Sequence, residues 1–171
     1  MKALRRDGSS AFALRFLMLF LVLFAGCETL RGTSTERFVV DGLFVMPAAA
    51  LVNSVSSGER VTTAERQLAS PGARLNVLRG CEGIETILLV AAAVLAFPAG
   101  WRQRATGLLI GTSLAYGLGI ARLALLYLSL RFAPQLFELL HGVVAPLVPV
   151  ALLALFFMAW SGRARRVAPA P

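Results

Sequence analysis

The chain has 171 residues, of which 57% are hydrophobic and 15% are charged, and it carries a formal net charge of +8. Its mean hydropathy of +0.74 lies well outside the range of soluble domains, which indicates a protein that folds in a lipid bilayer. The excess of positive charge does not indicate nucleic-acid binding, because the basic residues are not gathered on one soluble face among aromatic residues.

The first long apolar segment, residues 11–27, is predicted to be a transmembrane helix. A signal peptide has a similar length, but later apolar segments favour a membrane crossing. Cys27 ends the sequence FAGC, which resembles the lipobox of bacterial lipoproteins. Lipidation of Cys27 therefore remains an alternative, although three later crossings are unusual for a lipoprotein.

The next two segments are predicted to lie on the membrane surface. Residues 38–55 are apolar but are interrupted by Asp41, Gly42 and Pro47, which favours an amphipathic helix lying in the interface, with a re-entrant helix as the alternative. Residues 56–80 are polar and contain the turn dipeptide Pro71-Gly72, which predicts a small β-hairpin leading directly into Cys81.

Three further crossings are predicted at 82–98, 106–130 and 139–160, followed by a tail at 161–171. The expected fold is therefore an all-α polytopic membrane protein in a single domain, 1–171, with about four transmembrane helices, an interfacial helix and a small extracytoplasmic β-hairpin. Basic residues flank the crossings at the N-terminus, at the break after 98 and in the tail: Lys2, Arg5, Arg6, Arg102, Arg104, Arg163, Arg165 and Arg166. The expected location is the cytoplasmic (inner) membrane, and the positive-inside rule then places both termini in the cytoplasm.

With this topology, Cys81, Arg122 and His141 lie toward the same, extracytoplasmic face, because successive crossings alternate in direction. A thiol becomes a nucleophile when nearby histidine or arginine charge lowers its pKa. We therefore expect Cys81 to attack a peptide carbonyl, His141 to move the proton, and Arg122 to stabilise the oxyanion or orient the thiolate. Glu85 and Glu82 are expected supporting residues, with Glu85 a partner for Arg122.

Simpler roles remain open for each of these residues. Cys81 fits a small buried side chain, His141 an interfacial residue, and Arg122 a side chain that snorkels to the interface or a brace to Glu85. A different class of function is a small transport or assembly subunit, in which Arg122, Glu85 and His141 line a polar path. The chain has no phosphate loop or metal-ligand cluster, so neither a cofactor nor a metal is expected.

The second half of the chain resembles the exosortases and archaeosortases over roughly 75–160. The resemblance rests on RGCEGIE at 79–85, LAFPAGWRQRATGLLIG at 95–111, IARLALLYL at 120–128 and the histidine of FELLHGVVAP. It implies a membrane cysteine peptidase or transpeptidase with a triad of Cys81, Arg122 and His141. The implied partners are membrane lipid and exported proteins that end in a short motif, a hydrophobic helix and a basic tail. Many relatives carry Asn three residues before the triad arginine, where this chain has Gly119.

Overall fold

The computed structural model describes residues 3–56, 58–78 and 80–167, which form seven α-helices, two π-helical turns and three short strands. Arg79, Ser57 and the last four residues of the expected tail lie outside the described residues. The helices and strands are α1 (Ala3–Thr29), α2 (Ser34–Val40), α3 (Met46–Val55), β1 (Thr62–Ala64), β2 (Gln67–Ser70), β3 (Ala73–Asn76), α4 (Ile84–Ala96), α5 (Trp101–Phe132), α6 (Pro134–Leu139) and α7 (Ala145–Val167).

Four helical segments of the described residues are long and apolar enough to cross a membrane: Ser10–Thr29, Ser34–Val55, Trp101–Phe132 and Pro134–Arg165. The expected mostly helical fold with a small sheet is thus confirmed. Two elements differ in length from the sequence prediction. The segment expected to lie on the surface, 38–55, belongs to a continuous helix of 22 residues. The expected crossing at 82–98 is a helix of only 13 residues, or about 20 Å.

The continuity of Ser34–Val55 has a physical reason in a π-helical turn, Asp41–Val45, that joins α2 to α3 just before Pro47. Proline has no N–H to donate to the preceding turn, and the wider π-helical turn accommodates this loss without ending the helix. The same arrangement recurs at Leu140–Val144, which joins α6 to α7 just before Pro146. Pro47 and Gly42 therefore reshape the helix rather than interrupt it.

The segment expected to form a hairpin forms an antiparallel sheet of three strands in the order β1-β2-β3. Pro71 and Gly72 form the second turn as predicted, between β2 and β3. The first turn contains Glu65 and Arg66, both with positive φ angles of 45° and 61°. Leu68 and Leu75 face the protein core, so the sheet is packed on the helices rather than exposed on both faces.

A stripe of small residues on α5 allows the helices to pack closely. Gly107, Gly111, Ala115 and Gly119 recur every four residues, and all are buried. A Cβ added at Gly107 would lie 2.6 Å from the Trp160 ring, and one added at Gly111 would lie 2.7 Å from the Phe156 ring. Small residues at this spacing let the aromatic side chains of α7 lie directly against the α5 backbone. These contacts fix the antiparallel register of α5 and α7.

The other half of α5 supports the sheet. α5 has 32 residues, or about 48 Å, which exceeds the roughly 30 Å of the hydrocarbon core. Near its end, the Tyr127 hydroxyl donates to Ser70 Oγ at 2.7 Å, and Arg131 Nε pairs with Glu59 at 2.9 Å. These contacts hold the sheet at the end of the bundle to which Cys81 belongs.

Candidate functional site

Two glycines set the shape of the loop that carries Cys81. Gly80 and Gly83 have φ angles of 81° and 88°, a left-handed conformation that other residues adopt only with strain. The Cys81 N–H donates to the Leu78 carbonyl at 3.0 Å, and the thiol side chain is half-buried. The chain enters α4 directly after Gly83.

Gly119 is the point on α5 against which this loop packs. A Cβ added at Gly119 would lie 2.8 Å from the Glu82 carbonyl oxygen. A Cβ added at Gly83 would lie 3.3 Å from the Gly119 Cα atom. Gly119 is therefore in backbone-to-backbone contact with the loop, and the observed arrangement has no room for an asparagine side chain there.

Arg122 lies one helical turn beyond Gly119 and reaches the same loop. Its Nη1 donates to the Gly80 carbonyl oxygen at 3.4 Å, a long hydrogen bond. Its Nε is buried and has no hydrogen-bond partner among the described residues. The guanidinium is thus beside the residue that precedes the thiol and keeps an unused donor.

The Cys81 thiol is not activated in this arrangement. Burial raises the pKa of Cys81, and the nearby Arg122 charge opposes that rise without overcoming it. The carboxylates of Glu82 and Glu85 raise the pKa further. The sequence analysis expected a lowered pKa, whereas burial leaves the pKa of Cys81 raised above its ordinary value.

His141 lies on the neighbouring helical segment, in the π-helical turn Leu140–Val144. Its ring stacks on Phe137 with centroids 5.5 Å apart and an interplanar angle of 4°. Its Nδ1 atom is buried and has no hydrogen-bond partner among the described residues. The imidazole therefore has an orientation fixed by stacking and an unused polar atom inside the protein.

The packing of α7 on α5 places His141 at the same end of the bundle as Arg122. Gly111 opposite Phe156 and Gly107 opposite Trp160 set a register that brings His141 near the level of Leu126. That level is one turn, about 6 Å, beyond Arg122 along the α5 axis. Within the described part of the chain, no hydrogen bond or ion pair joins His141 to Arg122 or Cys81.

The two glutamates expected to support the site have other partners. Glu85 accepts from Arg31 Nη2 at 3.5 Å, so the expected pairing of Glu85 with Arg122 is not the one observed. Glu82 has only 5% of its side chain exposed and pairs with Arg66 Nη2 at 2.7 Å. Burial raises the pKa of Glu82, and the Arg66 charge opposes this rise.

Arg66 is a positioning residue that the sequence analysis missed. Its guanidinium bridges Glu82 and Glu36, with Nη1 3.0 Å from Glu36. Its backbone N–H donates to Asp41 Oδ1 at 2.9 Å. The first turn of the sheet is thereby attached both to α2 and to the residue after Cys81. Neither the position of a turn residue in space nor its ionic partners can be inferred from spacing along the chain.

The structure also shows what surrounds Cys27 and how the residues of the alternative polar path are paired. Cys27 lines a cavity between α1, α2 and the start of α4, together with Arg31 and Glu85. Glu85 pairs with Arg31 on the α1 side. Among the described residues, Glu85, Arg122 and His141 therefore do not form one continuous series of paired ionic groups. No group of three or more His, Cys, Asp or Glu residues that could hold a metal ion occurs among the described residues.

Comparisons with family models, with curated proteins and with solved structures found no match to this chain.

Proposed function

We propose that the protein is an exosortase-like cysteine peptidase or transpeptidase of the cytoplasmic membrane. The observation that carries this proposal is the contact of Arg122 Nη1 with the Gly80 carbonyl oxygen, which puts a guanidinium next to Cys81. An arginine within an apolar helix costs about 2.5 to 3.5 kcal/mol on insertion scales, so such a residue normally has a function or a partner inside the bundle.

In the proposed reaction, the Cys81 sulfur attacks the carbonyl carbon of a substrate peptide bond while His141 takes the thiol proton. The buried Nε of Arg122, which has no partner among the described residues, is a donor available to the developing oxyanion. His141 then gives its proton to the leaving nitrogen as the C–N bond breaks, which leaves a thioester on Cys81. Water or an acceptor nucleophile attacks the thioester, and its proton returns through His141 to the sulfur.

The raised pKa of Cys81 is consistent with a reaction that begins only when substrate is bound. A peptide bound against Cys81 and His141 excludes water from the site, so the thiol proton passes to His141 and not to solvent. The proposed substrates are exported proteins that end in a motif, a hydrophobic helix and a basic tail. Their scissile bond would lie at the extracytoplasmic face, with both termini of the enzyme in the cytoplasm.

The test compares processing in native cells that make only one variant of the chain. Cys81→Ala, Arg122→Ala or His141→Ala should cause exported proteins to keep their C-terminal hydrophobic helix, as measured by mass spectrometry of C-terminal peptides. Cys27→Ala is the matched control, because it removes the only other cysteine and should leave processing unchanged. Normal processing by all three site variants at equal protein levels would exclude the proposal.

A second measurement separates the enzyme from a transport or assembly subunit. A thioester intermediate predicts a hydroxylamine-labile peptide adduct on Cys81 in the Cys27→Ala protein, detected by mass spectrometry of the purified chain. A polar intramembrane path predicts no such adduct and predicts that Cys81→Ala remains functional.

A further inference from the structure

A second cavity lies toward the end of the bundle away from Cys81, between the middle of α1, the end of α4 and the start of α5. Arg15 and Arg104 contribute its charged groups, and Met18, Val22 and Leu95 contribute apolar wall. Met18 and Val22 are exposed over 59% and 67% of their surface, so the cavity opens on the side of α1 that would face lipid. Two arginines at the mouth of an apolar lateral cavity favour a negatively charged occupant.

The two arginines have different surroundings, but neither pairs with a carboxylate of the described residues. Arg104 Nε donates to the Phe97 carbonyl oxygen at 3.2 Å, which orients the guanidinium and leaves its terminal nitrogens available. Arg15 is exposed on α1. None of the ion pairs formed by the described side chains includes Arg15 or Arg104.

The charge distribution of the chain strengthens this conclusion. Of the nine acidic residues, eight lie between 28 and 85 or at position 138, toward the Cys81 end, and the ninth, Asp7, has no described side chain. Arg102, Arg163 and Arg165 instead share the end that contains this cavity. An ammonium group from a zwitterionic lipid would therefore meet positive charge here, whereas an anionic headgroup would be attracted.

The depth of Arg15 matches that of a lipid phosphate. Arg15 lies four residues inside the apolar segment that begins at Ala11, or about 6 Å along the helix axis. A guanidinium on a long side chain at this depth reaches the boundary between headgroups and acyl chains. An acyl chain that begins there can follow the apolar wall formed by Met18, Val22 and Leu95.

We propose that this cavity binds an anionic phospholipid, with its phosphodiester between Arg15 and Arg104 and an acyl chain along the α1–α4 wall. The site is separate from the Cys81 loop and does not depend on any peptidase activity. Basic pockets between membrane helices on the cytoplasmic side are a known mode of anionic lipid recognition.

The experiment titrates the purified full chain in detergent with phosphatidylglycerol or phosphatidylcholine and counts bound lipid by native mass spectrometry. The unmodified chain should prefer phosphatidylglycerol. Arg15→Gln and Arg104→Gln should each weaken phosphatidylglycerol binding about fivefold, the effect of one interfacial basic residue. Arg15→Lys and Arg104→Lys, which keep the charge, should retain most of the binding.

Arg74→Gln is the matched control, because it removes one charge from an exposed arginine on β3, far from this cavity, and should not alter binding. Equal binding of the two lipids by the unmodified chain would overturn the proposal without any variant. Equal weakening by Arg74→Gln would also overturn it, as would displacement of the lipid by free glycerol phosphate, which would indicate a phosphate site and not a lipid site.

Discussion

Gly119→Ala should disturb the Cys81 loop, whereas Gly117→Ala, two residues earlier on the same helix, should not. The added Cβ at Gly119 would lie 2.8 Å from the Glu82 carbonyl oxygen, while the space around Gly117 is open to 4 Å. Ordinary C···O contacts are about 3.3 to 3.6 Å, so the loop must move by about 0.5 Å or more. Such a shift is enough to break the 3.4 Å hydrogen bond from Arg122 to Gly80.

The expected change in the free energy of unfolding differs between the two positions. Replacing glycine by alanine in a helix stabilises by about 0.5 to 1 kcal/mol, which is the whole effect expected for Gly117→Ala. Overpacking at Gly119 costs about 1 to 3 kcal/mol, which offsets or exceeds the same gain. Gly119→Ala should therefore be less stable than Gly117→Ala by about 1 to 3 kcal/mol, and Gly119→Asn should be less stable still.

Reversible unfolding in mixed detergent measures this difference, and the rate of Cys81 alkylation in a Cys27→Ala background reports the position of the loop. Gly119→Ala should change the alkylation rate, and Gly117→Ala should leave it unchanged. If the two variants unfold at the same denaturant concentration and alkylate at the same rate, then the loop does not depend on contact with Gly119.

Two further predictions concern charge. Arg122→Gln removes the positive charge that opposes the rise in the pKa of Cys81, so alkylation of Cys81 at neutral pH should slow in the Cys27→Ala background, and the pH profile should move to higher pH. For Glu59, burial raises the pKa, but the Ser70 hydrogen bond and the Arg131 charge outweigh it and leave the pKa lowered. Its contribution to stability should be present above the usual glutamate pKa and lost as the pH falls through the lowered value; an equal acid dependence of unfolding in Glu59→Gln would refute this.

The helical membrane fold could be predicted from the sequence because long apolar segments are a direct signal of the bilayer as solvent. It was harder to predict which segments are long enough to cross a membrane. Pro47 and Gly42 are usual helix breakers, but the π-helical turn that precedes Pro47 is a local rearrangement of hydrogen bonds that composition does not encode. The stripe of small residues from Gly107 to Gly119 was readable in the sequence and would have predicted the close packing of α5.

The candidate site was partly predictable for a similar reason. Alternation of direction places residues at one end of the bundle, and this was enough to relate Cys81 to Arg122. It does not determine which side chains pair there. The pairing of Glu85 with Arg31, and of Glu82 with Arg66, depends on residues distant in sequence, for which helical spacing gives no information.

The geometry also explains why the Cys81 loop and His141 have different roles in the proposed reaction. Three separate contacts fix the loop: the backbone contact with Gly119, the Arg66 bridge to Glu82 and the Arg122 hydrogen bond to Gly80. His141 is oriented only by stacking on Phe137, and its buried Nδ1 has no partner among the described residues. Because a buried polar atom without a partner costs about 1 to 3 kcal/mol, a bound group that supplies the missing hydrogen bond to His141 would recover that energy. A substrate peptide that lies between the fixed loop and His141 can supply it, so substrate binding and activation of the thiol would occur together.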